Sequence, residues 1–275
     1  MLKVAIQGEK ASFHDLALLK FFNYPVEILP CDTFLKVFQT IDKGSVNFAV
    51  VAIENSLYGS INETYDLLDK YSFNIIGEVY LRVEQCLIGL RTTKLSDIKE
   101  VYSHPVALAQ CDEYIENNLN NIERIETHDT AGSVALIKKF NDKTKVAIAS
   151  QEAAKLYEMP IIAKSIETNK QNFTRFIVLS KTKQEVKNAN KTSLKMSTTN
   201  KPGALYKALG SFANRDINLS KLQSRPIIGK AWHYLFYLDI DCGENDPRFE
   251  AAYEDLKANK NNITILGSYI SAVNS

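Results

Sequence analysis

The sequence predicts an α/β protein with two parts, a doubly wound region and a smaller ferredoxin-like βαββαβ domain. Over residues 3–166, short apolar segments typical of buried strands alternate with amphipathic segments typical of helices. The polar and charged stretch 181–191 is typical of a linker. After it, the segments follow the order strand, helix, strand, strand, helix, strand, which is the split βαβ pattern.

The first part opens with strands that a parallel sheet would bury. Strands are predicted at 3–7, 26–29 and 47–53, and helices at 13–22 and 33–42. Asp32 is the predicted N-cap of the second helix, and Gly44 follows its end. A polar loop then precedes a helix over 62–70, and the extended stretch 74–90 is predicted to cross between two lobes.

A fresh alternation marks the second lobe, at about 83–165. Its strands are predicted at 101–102, 122–127, 145–149 and 161–166, and its helices at 106–118, 133–140 and 151–157. Pro105 suits the first turn of the helix that follows it. We therefore expect a first domain over 1–182 and a second over 192–275. The second has predicted strands at 192–199, 217–222, 232–240 and 263–269 and helices at 204–213 and 248–259.

Ligands of doubly wound proteins bind at the carboxyl ends of strands, near helix N-termini. The polar loops predicted at those ends are 8–12, 54–60, 103–104, 129–130 and 150–151. The sequence does not require that they share one cleft.

Composition excludes several classes of function. The 33 Lys and Arg against 32 Asp and Glu give a net charge of +1, which offers no global field for nucleic acid or a membrane surface. Four dispersed cysteines without CxxC spacing argue against a zinc site or a disulfide framework, and they are expected to be reduced and mostly buried. The N-terminus lacks a leader pattern and no long apolar run exists, so a cytoplasmic protein is expected.

The segment Asn172-Phe173-Thr174-Arg175-Phe176 opens an apolar run and carries the strongest candidate chemistry, a hydroxyl beside a guanidinium. Simple strand alternation sends Thr174 and Arg175 to opposite faces, whereas a twist or bulge at the strand start would bring them to one pocket. The plain alternative is a core strand with one exposed arginine and a threonine that suits β-structure.

Taken in order, the motifs resemble one family. They are Ala52-Ile53-Glu54-Asn55-Ser56 with Gly59, Tyr102-Ser103-His104-Pro105 with Ala109-Gln110-Cys111, Asn172 to Phe176, Pro202-Gly203-Ala204-Leu205 and Ser224-Arg225-Pro226. The chain resembles a monofunctional prephenate dehydratase with a C-terminal ACT regulatory domain. The resemblance implies two α/β lobes around a cleft, similar to periplasmic binding proteins, and an ACT domain that senses phenylalanine.

The implied substrate, prephenate, carries two carboxylates and a ring hydroxyl, and its conversion to phenylpyruvate is driven by aromaticity. No metal or other cofactor is expected. By the resemblance Thr174 and Arg175 are the catalytic pair: Arg175 binds a carboxylate as a planar fork, and Thr174 hydrogen-bonds the leaving hydroxyl.

The resemblance further implies that the substrate contacts residues from several loops: Asn55, Ser56, Ser103, Gln110, Thr130 and Phe176. Each loop residue has a plain alternative. Asn55 and Ser56 suit caps of the next helix, Ser103 suits the N-cap before Pro105, and Gln110 suits a solvated helix position. His14, His104 and His128 receive no catalytic role, although His14 and His128 are expected in loops where they titrate near neutrality.

In the ACT domain the implied phenylalanine site comprises Gly203, Ala204, Leu205, Gln223, Ser224, Arg225 and Pro226, at a side-by-side pairing that makes a homodimer or homotetramer. Gln223 departs from the family, which usually has Glu there, so effector affinity is expected to differ. The first loop also departs, because Glu9-Lys10 follow Gly8 where the family often has a second glycine.

Two other functions stay open. An arogenate dehydratase would take a substrate with an amino group in place of the keto group. A non-catalytic amino-acid sensor would use the same two parts without turnover.

Overall fold

The computed structural model describes residues 1–119 and 121–272, which form two compact units. The first comprises Met1–Gly59 and Tyr80–Phe176, and the second comprises Ser60–Val79 and the chain from Ile177 onward. The segment 60–79 thus groups with the C-terminal part, although sequence order places it in the predicted first domain. Residues 273–275 of the predicted second domain lie outside the described residues.

The strands are β1 (Lys3–Gln7), β2 (Glu27–Cys31), β3 (Phe48–Asn55), β4 (Gly59–Ser60), β5 (Asn74–Arg82), β6 (Cys86–Ile88), β7 (Glu100–Ser103), β8 (Glu123–Glu126), β9 (Lys145–Ala149), β10 (Ile161–Ala163), β11 (Phe173–Ser180), β12 (Lys191–Ser197), β13 (Leu219–Pro226), β14 (Tyr234–Ile240) and β15 (Asn262–Tyr269). The helices are α1 (Phe13–Phe21), α2 (Phe34–Asp42), α3 (Asn62–Tyr71), α4 (Pro105–Gln110), α5 (Asp112–Asn118), α6 (Thr130–Phe140), α7 (Gln151–Leu156), α8 (Ala204–Ala213) and α9 (Pro247–Ala258). A 3-10 turn spans Leu95–Asp97.

The first sheet has the order β2-β1-β3-β11-β5, with β4 paired to β3. Strand β1 runs parallel to both β2 and β3. Its central residues Val4, Ala5 and Ile6 are fully buried, as the continuous apolar run predicts for a strand covered on both faces.

The second sheet has the order β10-β6-β9-β7-β8 and forms the second lobe. Strand β7 is parallel to β8 and β9, and β6 is antiparallel to β9. One face packs on a cluster that includes Val134 and Ile137 of α6, and the other on a cluster that includes Leu108 and Ile115. The α/β fold class is therefore confirmed.

The second unit contains a four-stranded antiparallel sheet in the order β13-β14-β12-β15, with α8 and α9 packed around the buried Phe212 and Phe249. The element order βαββαβ is confirmed as the sequence predicts. Helix α3 belongs to this unit, and Tyr65 contacts Tyr237 with ring centroids 4.8 Å apart.

Several boundaries differ from the predictions. The N-cap of α2 is Thr33, not Asp32, because the Thr33 hydroxyl accepts a hydrogen bond from the Lys36 N–H at 3.1 Å. The single helix predicted over 106–118 is two helices, since Cys111 leaves helical geometry with φ −107° and ψ 11°. Strand β13 begins and ends later than 217–222, which places Ser224, Arg225 and Pro226 within it.

All four cysteines are free thiols in buried positions, as expected. Over residues 1–119 and 121–272, every helix is too short or too polar to cross a bilayer.

Candidate active site

Asn55, the last residue of β3, has an amide whose orientation is fixed by the backbone. Its Oδ1 accepts hydrogen bonds from the N–H groups of Leu57 at 3.0 Å and Tyr58 at 3.1 Å. Its Nδ2 must therefore face the other way, where it lies 2.8 Å from Asn172 Oδ1 and 3.0 Å from Thr174 Oγ1. Asn55 is 7% exposed and Thr174 is 8% exposed. The structure thus joins the loop after β3 to the start of β11.

Asn55 and Ser56 do not cap the next helix, because the N-cap of α3 is Ile61, which makes no side-chain capping bond. The Ser56 N–H donates to the Phe173 carbonyl at 2.8 Å, and its hydroxyl bridges the Gln171 carbonyl and the Phe173 N–H, both at 2.9 Å. These bonds of Ser56 hold the loop after β3 against the start of β11.

Thr174 and Arg175 lie in different surroundings. Thr174 contacts Asn55, whereas Arg175 places Nη1 4.0 Å from Glu54 Oε2 and Cζ 6.0 Å from the centre of the Tyr80 ring. Because neighbours on a strand point to opposite faces, the two side chains leave the start of β11 in different directions, as simple strand alternation predicts. Arg175 is only 3% exposed, so the plain alternative of an exposed arginine is wrong.

Phe176 is fully buried and packs edge-on against His14 at 5.0 Å. His14 lies in α1, and its Nε2 accepts a hydrogen bond from the Ala52 N–H at 3.2 Å. Burial, with a smaller contribution from nearby His104, lowers the His14 pKa to about 3. The prediction that His14 sits in a loop and titrates near neutrality is therefore wrong.

Three of the predicted strand-end loops meet at one edge of the first unit. The Asp129 carboxylate caps α6 by accepting the Gly132 N–H at 2.8 Å, and a Cβ on Gly8 would come within 2.6 Å of its Oδ1. Gly8 also has φ +87°, so glycine is required there twice over. The Ser150 hydroxyl donates to the Ala11 carbonyl at 2.9 Å. Burial raises the Asp129 pKa, partly offset by its backbone donors.

The remaining predicted residues of the second lobe are buried in separate places. The Ser103 hydroxyl donates to the Ile148 carbonyl at 2.6 Å, and His104 caps α4 in its place by accepting the Val106 N–H at 3.3 Å. Thr130 is the first residue of α6 and is buried.

Gln110 is buried rather than solvated, and its Oε1 accepts a hydrogen bond from Gln85 Nε2 at 3.2 Å. Within the described residues, no hydrogen bond joins Ser103, Gln110 or Thr130 to Asn55 or Thr174. The structure therefore joins Asn55 and Thr174 by a direct hydrogen bond, while the second-lobe residues bond other partners.

Sequence reasoning missed the contacts of two side chains, Asn172 and Asp129. Asn172 bonds the Asn55 amide, and its place in the motif with Thr174 was the available signal. Asp129 caps α6, and its contact with Gly8 of the other lobe was not foreseen.

The predicted effector residues lie on two elements of the second unit. Gly203 is the N-cap of α8 with φ +76°, and Ala204 and Leu205 follow it. Residues 223–226 lie on β13.

The side chains of β13 contact the segment around α3. The Ser60 hydroxyl donates to Gln223 Oε1 at 2.7 Å, and the Arg225 guanidinium binds both oxygens of Asp66 at 2.9 and 2.7 Å. Gln223 and Arg225 are thus already engaged by the chain's own residues.

Comparison with protein families and curated relatives gives a consistent result. The family model described as "Prephenate dehydratase" matches residues 4–184. A bifunctional chorismate mutase/prephenate dehydratase of Aquifex aeolicus is 35% identical over 99% of this chain and 74% of its own length. Arogenate dehydratase 2 of Petunia hybrida is 37% identical over 98% of this chain and 72% of its own.

Solved structures agree with this fold over nearly the whole chain. Prephenate dehydratase of Arthrobacter aurescens in complex with L-Phe has a TM-score of 0.87 and 28% identity, covering 100% of this chain and 92% of that one. A structure titled as a novel type of quorum quenching acylase, GqqA, has a TM-score of 0.86 and 31% identity, covering 98% of both chains. The family model and the curated relatives place this protein: it belongs to the prephenate dehydratase family.

Proposed function

We propose that this protein converts prephenate to phenylpyruvate, and that the Thr174 hydroxyl is the group that assists departure of the ring hydroxyl. In this reaction the bond between the ring and its carboxylate breaks, the carboxylate leaves as carbon dioxide, and the bonding electron pair enters the ring. The C–O bond then breaks, and the departing hydroxide takes up a proton to become water. A donor aimed at that oxygen lowers the barrier.

The observation that carries the proposal is the direction of the hydrogen bond between Asn55 and Thr174. Because the Asn55 amide is fixed by Leu57 and Tyr58, Thr174 Oγ1 accepts from Nδ2 and keeps its own proton for another acceptor. Within the described residues no acceptor for that proton lies at hydrogen-bond distance. Thr174 is a weak acid, so it polarises the leaving oxygen or relays a proton from solvent.

Arg175 is proposed to bind a substrate carboxylate. It is buried and cationic beside the carboxyl end of β3, and its fork suits a carboxylate. Since Glu54 already lies 4.0 Å away, an incoming carboxylate competes with Glu54 for the guanidinium. The other residues proposed to surround the substrate are Asn55, Ser56, Ser103, Gln110, Thr130 and Phe176. Of these, Ser56 acts indirectly by holding the backbone at the start of β11, and Phe176 acts indirectly by packing against His14.

We also propose L-phenylalanine as a feedback inhibitor that binds near Gly203–Leu205 and Gln223–Pro226, in a cytoplasmic homodimer or homotetramer paired through an ACT domain over 192–275. The relative from Arthrobacter aurescens was solved with L-Phe. The ferredoxin-like order of the second unit and the helix N-terminus at Gly203, which makes no side-chain capping bond, support an amino-acid carboxylate there.

Release of phenylpyruvate from prephenate, measured with and without L-phenylalanine, tests the activity and its regulation. Arogenate is assayed beside prephenate, because the Petunia relative is named an arogenate dehydratase. Turnover of prephenate that falls with added phenylalanine is expected. A preference for arogenate would change the substrate, and no turnover of either would leave a non-catalytic sensor.

A further inference from the structure

We propose that Asn172 is a positioning residue for Thr174: its Oδ1 holds the Asn55 amide, and the Asn55 amide orients the Thr174 hydroxyl. The inference rests on the proposed role of Thr174. It assigns a role to a residue that touches no reacting atom.

The amide of Asn172 has one defined orientation. Asn55 Nδ2 is a donor at this position, because Leu57 and Tyr58 occupy Oδ1 on the opposite side of the same amide. A flipped Asn172 would oppose two donors, so the atom 2.8 Å from Asn55 Nδ2 is Asn172 Oδ1. Both protons of the Asn55 amide are then used, one on Asn172 and one on Thr174.

The Nδ2 group of Asn172 lowers the stability of the fold. Asn172 is 0% exposed, and its Nδ2 is buried without a hydrogen-bond partner. A buried orphan donor destabilises a fold. A residue kept for packing alone would avoid that cost, so the value of Asn172 lies in the acceptor that it gives to Asn55.

The acceptor matters because it removes an alternative geometry. Without Asn172 Oδ1, one Asn55 proton has no partner, and the amide is free to tilt away from Thr174. The Thr174 hydroxyl then loses its fixed hydrogen bond, rotates freely, and presents its proton to the substrate for only part of the time. The expected effect is on kcat rather than on KM.

The test compares Asn172→Ala with Asn172→Asp, which keeps an oxygen at Oδ1 and replaces the orphan N–H group by a second oxygen. Asn172→Ala is expected to lower kcat for prephenate at least ten-fold with KM within two-fold. Asn172→Asp is expected to restore kcat to within three-fold of the unaltered protein. Gln171→Ala, at the exposed neighbouring side chain, is the matched control and is expected to leave both parameters unchanged.

A second arm uses Thr174→Val, in which Asn172→Ala is expected to cause no further loss, because both residues act through one hydroxyl. Circular dichroism and thermal unfolding of each variant show which are folded. An equal loss in Asn172→Asp and Asn172→Ala, or a multiplied loss in the double variant, would overturn the positioning role. Normal kcat in a folded Asn172→Ala variant would overturn it too. If the unaltered protein turns over neither substrate, the proposed function itself fails.

Discussion

Replacing Asn55 by Asp tests the orientation of the Thr174 hydroxyl most directly. The substitution keeps an oxygen for the Leu57 and Tyr58 N–H groups and changes Nδ2 into a second acceptor. The Thr174 hydroxyl, now beside a carboxylate oxygen, donates its proton to residue 55 instead of to the substrate. The reaction thereby loses one preorganised donor.

Loss of one such donor is worth about 3 kcal/mol in the barrier, or roughly 150-fold in kcat. The fold should not weaken in parallel, because the carboxylate gains a new donor: the Asn172 amide, once flipped, directs its unpaired Nδ2 at residue 55. A large fall in kcat with an unchanged or higher melting temperature is therefore expected. The assay is steady-state release of phenylpyruvate together with thermal unfolding.

The matched control is Asn47→Asp, which adds the same charge at an exposed position immediately before β3, where the side chain accepts the Lys3 N–H. It should leave kcat unchanged. If Asn55→Asp retains kcat within three-fold in a protein that turns over prephenate, the hydroxyl is not oriented as argued.

Three further outcomes are expected. Glu54→Gln removes the carboxylate 4.0 Å from Arg175 and should lower KM for prephenate at least three-fold. If KM is unchanged both in this variant and in Arg175→Lys, Arg175 does not bind the substrate. His14 binds protons less readily in the folded than in the unfolded state, so its contribution to stability falls as pH drops from 6.5 toward 3, by about 2 kcal/mol at pH 5. His14→Gln should therefore show a smaller loss of melting temperature between pH 7 and pH 5, and an identical slope would contradict the burial argument. Lys191→Met removes the ammonium group 3.0 Å from the fully buried Glu78 carboxylate and should lower the free energy of urea unfolding by about 3 kcal/mol or more. Much of that loss should be recovered when Glu78→Leu is added. Equal destabilisation in the double variant would count against a paired buried charge.

Much of the fold could be predicted from short stretches of sequence. The buried run at β1, the helix start at Pro105 and the βαββαβ order all depend on short stretches of sequence, and the structure confirms them. The break at Cys111 was not predictable, because neither glycine nor proline marks it and the hydrophobic pattern continues through it.

Contacts between distant residues were harder to predict. The bond between Asn55 and Asn172 spans 117 positions, and a strand motif does not reveal which side chain its amides meet. The grouping of segment 60–79 with the C-terminal part depends on packing such as that of Tyr65 on Tyr237, which sequence order obscures.

Strand alternation separates the proposed roles of Thr174 and Arg175 in space. A strand that sends Thr174 toward Asn55 must send Arg175 toward Glu54, so in the proposed roles the donor and the cation would approach a bound substrate from different directions. Such an arrangement suits a molecule whose leaving hydroxyl and carboxylates lie at separate ends, because each group meets its own partner and neither disturbs the other. On the face opposite Arg175, the Asn55 amide is the hydrogen-bond support of the Thr174 hydroxyl.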